Sequence, residues 1–179
     1  MNKKLLFALS AATTAVHLPA HAASYLSVEQ AQKEFFPGAD RFELRDAKIN
    51  EAEKELIEKK SGTKVRLAEQ KAWRAWKGTK PLGYFLVDEV YGKHEFITYA
   101  AAIDPNGLLS HVQILEYKES YGGDVKNPLW LKQFLGKGIA APLTLGNDIV
   151  NISGATLSCK HVTDGIRRIL ATYEVKFHG

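Results

Sequence analysis

Apolar positions along the chain change their period twice. Ser27-Val28-Glu29-Gln30 has the form of a capping box, in which serine and glutamine side chains each bond the other's backbone N–H. It predicts a short amphipathic helix that ends at Phe35 and Phe36, because Pro37-Gly38 signals a turn. A second helix is expected from Asp46 to Lys60. Ile49, Ala52, Leu56 and Ile57 share one face, and Gly62 stands where a helix stops. Lys59 and Lys60 then fall at the negative end of that helix dipole, an ordinary solvated helix end.

From about Val65 the pattern shortens toward a period of two. Trp73 and Trp76 lie in a short mixed stretch. Tyr84 to Val90, Phe96 to Ile103 and Leu108 to Tyr117 are aromatic and β-branched, and Asp104-Pro105-Asn106-Gly107 is a strong turn. These read as antiparallel strands joined by short connections. Beyond Glu119 regularity is lost. Tyr121-Gly122-Gly123-Asp124 is loop-like. Asn127-Pro128 can open a short helix with Leu129, Trp130, Phe134 and Leu135 on its apolar side, ended by Gly136-Lys137-Gly138. Helical spacing returns from about Leu157 to Ala171. Val162, Ile166, Ile169 and Leu170 form its buried stripe, with Arg167 and Arg168 on or near the exposed face. The fold class is α+β: an antiparallel sheet flanked by helices, one domain, without repeats or a low-complexity linker.

Composition adds a leader to this picture. The 179 residues are 45% apolar, enough for one domain with its own core. Before it come Lys3 and Lys4, a mostly apolar run from Leu5 to Leu18, and the small-x-small pattern Ala20-His21-Ala22. That order predicts a secretory signal peptide cleaved before Ala23, and hence a periplasmic or otherwise extracytoplasmic protein. The run is broken by Thr13, Thr14 and His17 and falls short of the ~20 residues of a spanning helix. An uncleaved membrane anchor is the alternative. The expected organisation is a signal peptide over 1–22, an N-terminal helical segment over 23–62, and the main domain over 63–179.

Charge and cysteine usage exclude several function classes. Of 24 Lys and Arg, Lys3 and Lys4 leave with the leader, and the rest against 20 acids give +2. That balance is too weak for a nucleic-acid partner. Cys159 is the single cysteine, so no internal disulfide forms, and neither c-type haem nor zinc spacing is present. No Gly-x-Ser-x-Gly elbow occurs, and no histidine and acid are spaced to activate Ser153 or Ser158 for hydrolysis.

The candidate chemistry lies at Ser153-Gly154-Ala155-Thr156, at the start of the last helix behind Ile149, Val150 and Ile152. Gly154 lets backbone approach a ligand closely and Ala155 keeps the space clear. Ser153 is the expected cap and Thr156 the expected reactive oxygen. The open N–H groups and positive dipole end of a helix favour phosphate. Lys160 and His161 lie one turn on, where they either point into solvent or add positive charge near the helix start. Cys159 reads as a small buried residue in preference to a redox thiol. His94, after Gly92-Lys93, reads as a hairpin residue.

Three segments in order carry a wider resemblance: Tyr117-Lys118-Glu119-Ser120-Tyr121-Gly122, Trp130 to Lys137, and Asp148 to Ser158. Roughly from Tyr91 to Leu170, the chain resembles the FMN-binding domain family, whose members carry covalent flavin in sodium-pumping NADH:quinone reductase and in the Rnf complex. The resemblance implies an electron-transfer flavoprotein. In that family a flavin transferase takes FMN from FAD and esterifies its phosphate to the last hydroxyl residue of the motif, here Thr156. It also implies a membrane-associated electron donor or acceptor. The cofactor-binding residues expected are Thr156, Ser153, Gly154, Ala155, Leu157, Glu119, Gly122 and Lys137. Tyr121, Trp130, Phe134 and Leu157 are candidates for an apolar wall against the flavin ring. One departure stands out. The transferase pattern carries an acid three residues before the motif serine; this chain has Val150 there, with Asp148 the nearest acid. The alternative function is therefore an exported, non-catalytic binding domain of the same fold, holding FMN non-covalently or not at all.

Overall fold

Two capping boxes fix the N-terminal helices. The computed structural model describes residues 23–24, 26–45 and 47–178. The expected signal peptide, Tyr25, Asp46 and Gly179 lie outside the described residues. Helix α1 (Val28–Phe35) starts where Ser27 Oγ accepts from the Gln30 N–H at 3.2 Å and Gln30 Oε1 from the Ser27 N–H at 2.8 Å. Helix α2 (Glu51–Ser61) is opened by the same device from Asn50 and Glu53, at 2.9 Å each way, and stops at Gly62 with φ 65°. Its start thus lies later than the expected Asp46, because Asn50 caps it and Lys48 bridges to Glu69 instead.

Five strands form one open antiparallel sheet: β2 (Arg41–Leu44), β3 (Lys71–Lys77), β4 (Lys80–Tyr91), β5 (Phe96–Ile103) and β6 (Leu109–Tyr117). A two-residue strand, β1 (Ala23–Ser24), pairs with the outer edge of β6, giving the order β1-β6-β5-β4-β3-β2. The three expected strands are present. Arg41–Leu44 and the tryptophan stretch add two more at the opposite edge. Because β2 pairs with β3, residues of the expected N-terminal segment share the sheet of the main domain.

Strand alternation makes two cores. Leu86, Val90, Ile97, Tyr99, Ala101 and Ile103 face helix α4 (Thr156–Lys176) on one side. Phe85, Val87, Ala100 and Ala102 face Phe35 and Phe36, at the end of α1, on the other. Bulges between β5 and β6 break the alternation. The one at Thr98/Tyr99 turns Leu115 toward α1 while Ile114 and Tyr117 both join the α4 side. Tyr117 is thereby aimed at the start of α4.

The centre of α4 is locked to the sheet. Gly165 has no side chain where a Cβ would stand 2.8 Å from Val90 Cγ1 and collide with the Tyr99 hydroxyl. Arg168 is 8% exposed, a correction to the expected exposed Arg167-Arg168 pair. Its Nη2 donates to Asp88 Oδ2 at 2.6 Å, and Tyr99 Oη donates to the same oxygen at 2.7 Å. Arg167 is partly exposed and donates to the Ser61 carbonyl, tying α4 to the end of α2. No helix among the described residues is long and apolar enough to cross a membrane.

Candidate functional site

The motif forms a turn that delivers a bare helix start. Gly154 adopts φ 83°, the left-handed region open to glycine, and the Ala155 N–H donates to the Ile152 carbonyl at 3.0 Å. That turn puts Ala155 at the cap position, where no side chain bonds the helix N–H groups. The expectation that Ser153 caps the helix is therefore corrected: the glycine turn leaves it two residues before the cap position, exposed. The first intrahelical bond closed from Ala155 is the Cys159 N–H to its carbonyl, at 2.9 Å. The N–H groups of Thr156, Leu157 and Ser158 precede it and have no acceptor within the helix.

Thr156 is the first helical residue and is exposed. Its Oγ1 accepts from Asn151 Nδ2 at 3.1 Å. The hydroxyl is thus held through its lone pair while its own proton stays free to leave. The only sequence sign of Asn151's role is an amide side chain five residues before the threonine.

The loop after β6 closes on this helix start through Gly122. Gly122 has φ 75°, and a Cβ there would stand 3.3 Å from Ala155 Cα and 3.3 Å from Ser158 Oγ. A side chain would push the loop off the motif. Tyr117 Oη donates to the Tyr121 carbonyl and lies 3.5 Å from Ser158 Oγ, so the bulge in β6 anchors the same junction. Burial raises the Tyr117 phenol above its ordinary value, keeping it a donor.

The expected apolar wall divides in two. Trp130 and Phe134 are core residues, packed edge to face at 5.2 Å. Trp130 also donates through Nε1 to the Val150 carbonyl at 2.7 Å, and the Val150 N–H donates to Gln133 Oε1 at 2.7 Å. Tyr121 and Leu157, by contrast, are 78% and 45% exposed beside the motif. Val150 also exposes its side chain.

Glu119 and Lys137 have their polar atoms committed elsewhere. Glu119 Oε1 accepts from the backbone N–H groups of Lys93, His94 and Glu95, stapling the β4–β5 turn. Desolvation would raise this carboxyl, but the three N–H donors outweigh it and hold it below the ordinary value. Lys137 Nζ pairs with Asp148 Oδ2 at 3.0 Å. Asp148 also accepts from the N–H groups of Leu143 and Thr144, at 3.1 and 2.6 Å. Desolvation pushes Asp148 up, yet the Thr144 N–H and Lys137 bring it below the usual carboxylate range. One turn into α4, Lys160 pairs with Asp164 at 2.6 Å. Cys159 is fully buried, and burial raises its thiol above the ordinary value. That is the environment of a packing residue. No group of three or more metal-ligating side chains occurs among the described residues.

The arrangement suits a phosphorylated cofactor. An exposed hydroxyl stands at a helix N-terminus whose N–H groups no side chain caps. A Cβ on Gly154 would meet nothing within 4 Å, so the approach is open. Exposed Tyr121 and Leu157 flank it. The fold and site define a small α+β domain built to present one side-chain oxygen beside an anion-receptive helix end. Residues 92–171 match the family model described as the FMN-binding domain, which indicates FMN as the cofactor. Two solved structures share the fold. NqrC of Shewanella oneidensis has a TM-score of 0.50 at 14% identity, over 86% of this chain and 76% of that one. The corresponding subunit of the Na(+)-translocating NADH-quinone reductase of Parabacteroides distasonis has a TM-score of 0.53 at 14% identity, over 84% and 83%. No curated protein matches the chain.

Proposed function

We propose that this protein is an exported electron-transfer flavoprotein that carries FMN through a phosphoester to Thr156. The observation that carries the reading is the placement of Thr156: exposed, oriented by Asn151, at the uncapped start of α4. When bound, FMN supplies one- or two-electron transfer. The chain's own residues do the holding. The free N–H groups of the first turn and the dipole of α4 stabilise a phosphodiester's single negative charge. Gly154 keeps the approach open, Gly122 brings the Tyr121 loop to the helix start, and Leu157 offers apolar surface.

Attachment needs a flavin transferase. The Thr156 oxygen forms the new bond to the FMN phosphorus of FAD, the pyrophosphate bond breaks, AMP leaves, and the hydroxyl proton is lost. The signal peptide expected before Ala23 puts this modification outside the cytoplasm, where a membrane-associated donor or acceptor would exchange electrons with the domain. The small size of the domain favours a carrier or redox subunit over an independent enzyme.

Intact mass after co-expression with a flavin transferase tests the reading. The expected gain is one FMN less one water, lost completely in Thr156→Ala. No gain in the wild type, or a gain retained in the variant, overturns it. Val150 favours one second reading, a domain of this fold that holds FMN non-covalently or not at all. Its signature is a chain of unmodified mass, with yellow colour that denaturation releases or with none.

A further inference from the structure

The far end of α4 holds a second cavity, of about 370 Å³, between the C-terminal turn of the helix, β3, β4 and the β5–β6 turn. Tyr173 lies 17 residues after Thr156, roughly 25 Å along the helix at its ordinary rise per residue. This cavity is therefore separate from the flavin site.

Among the described residues Arg74, on β3, is the only arginine or lysine lining it. Its guanidinium lies 4.5 Å from the ring centre of Trp76 and 5.7 Å from that of Tyr84. Ring faces fix the group in place but use none of its N–H donors. Among the described residues no carboxylate or carbonyl accepts from it, and its Nε is buried without a partner. The acids nearby are engaged. Asp104 accepts from the N–H groups of Asn106 and Leu108 at 2.9 Å each, and Glu174 lies 3.3 Å from His178 Nδ1. Glu43 accepts from Trp76 Nε1 at 3.0 Å. Tyr84 and Tyr173, both nearly buried, also line the cavity, and neither hydroxyl has a hydrogen-bond partner among the described residues. Phe177 stacks on Tyr84 at 5.0 Å and adds a flat apolar wall.

One guanidinium with no carboxylate bonded to it and two tyrosines whose hydroxyls have no protein partner thus border a space within the roughly 300–1,000 Å³ of small-molecule pockets. A buried donor left without an acceptor is costly, so the buried Arg74 Nε beside this cavity marks a missing acceptor. A carboxylate matches it: the forked guanidinium takes two oxygens and the phenols take the remaining lone pairs. The aromatic walls select a flat apolar body behind the charge. We propose that this cavity is a binding site for a small aryl carboxylate, with Arg74 as the charge-recognising residue and Tyr173 and Tyr84 as orienting donors.

Titration of the full chain with benzoate, followed by calorimetry and amide chemical shifts, tests the proposal. Benzyl alcohol and inorganic phosphate serve as comparison probes. Saturable benzoate binding is expected, weakened at least about tenfold in Arg74→Gln and about threefold in Tyr173→Phe, as for lost charged and neutral hydrogen bonds. Arg74→Lys should fall between, since it keeps the charge and loses the fork. Benzyl alcohol should not saturate, and phosphate should bind more weakly than benzoate. Circular dichroism checks each variant's fold. If Arg74→Gln unfolds, Tyr173→Phe, which removes a single oxygen, decides the matter. Absence of saturable benzoate binding, unchanged affinity in the folded variants, or phosphate binding as tightly as benzoate would each overturn the assignment.

Discussion

The first turn of α4 and its middle belong to one helix and are built on opposite terms. In the middle, polar groups are closed off. Arg168 and Tyr99 meet on one oxygen of Asp88, and Thr172 Oγ1 returns to the Arg168 carbonyl at 2.9 Å. Gly165 admits the helix close to the sheet. At the first turn Ala155 offers no cap, and the Thr156 oxygen faces outward with only Asn151 on it. The lesson is a division of labour. A rigid, fully satisfied segment fixes an end whose hydrogen bonding is left incomplete, and the incomplete end is where a ligand gains most. Loss of the middle should cost stability; loss of the end should cost cofactor.

The largest effect expected is on the closed segment. Asp88→Ala leaves Arg168 buried without its bonded carboxylate, and breaking a buried pair in this way costs about 3–5 kcal/mol. Denaturant unfolding measures it. Removing the arginine as well, in Asp88→Ala with Arg168→Met, should recover much of the loss, because the stranded charge goes with it. The fraction of folded protein that takes up FMN should not change in either variant. A fall in that fraction would mean that middle and end are coupled rather than divided.

That contrast is only half legible in the sequence. Local signals transfer well: the Ser27/Gln30 box, the Gly62 stop and the run Phe96 to Ile103 all depend on neighbours in the chain. The motif's position at a helix start is legible for the same reason. What depends on distant partners is not. Arg168 looks solvent-facing in the sequence because Asp88 lies 80 residues away. Ser153 looks like the cap because spacing does not reveal that Gly154 turns left-handed and hands that place to Ala155. Strand β2 escapes the pattern because its four residues are mostly exposed on a sheet edge and carry no apolar alternation. The grip of Glu119 on the turn at 93–95 is hidden in the same way, because those N–H groups lie 24 to 26 positions before it.

Glu119 gives a smaller, pH-dependent effect between the two extremes. Glu119→Ala removes three N–H acceptor contacts at a partly exposed turn, for about 1 kcal/mol near neutral pH. The carboxyl sits below its ordinary value in the folded chain. A lowered folded value means that the stabilisation is complete above the unfolded value, near 4.3 for glutamate, and is lost as pH falls through the folded one. The stability gap between wild type and variant should therefore narrow in acid, below about pH 4. A gap that stays constant from pH 7 to pH 3 would show that the turn does not depend on the charge.

The smallest effect on stability, and the sharpest test of the open end, is Val150→Asp. The backbone of Val150 is clamped on both sides, its N–H by Gln133 Oε1 and its carbonyl by Trp130 Nε1, each at 2.7 Å. Its side chain is 65% exposed. An aspartate there inherits the same clamp and points into solvent, so stability should stay within about 0.5 kcal/mol. What changes is the surface a transferase meets just upstream of Thr156. Asp148 cannot readily substitute, because Lys137 and two backbone N–H groups already occupy its carboxylate. Covalent FMN, read by intact mass at a fixed and limiting transferase level, should therefore rise in Val150→Asp over the wild type. Equal attachment rates would mean that the acid is dispensable and that the helix start with Thr156 is sufficient by itself. A rise would place the chain's departure from the transferase pattern in one exposed side chain, leaving the architecture of the site intact.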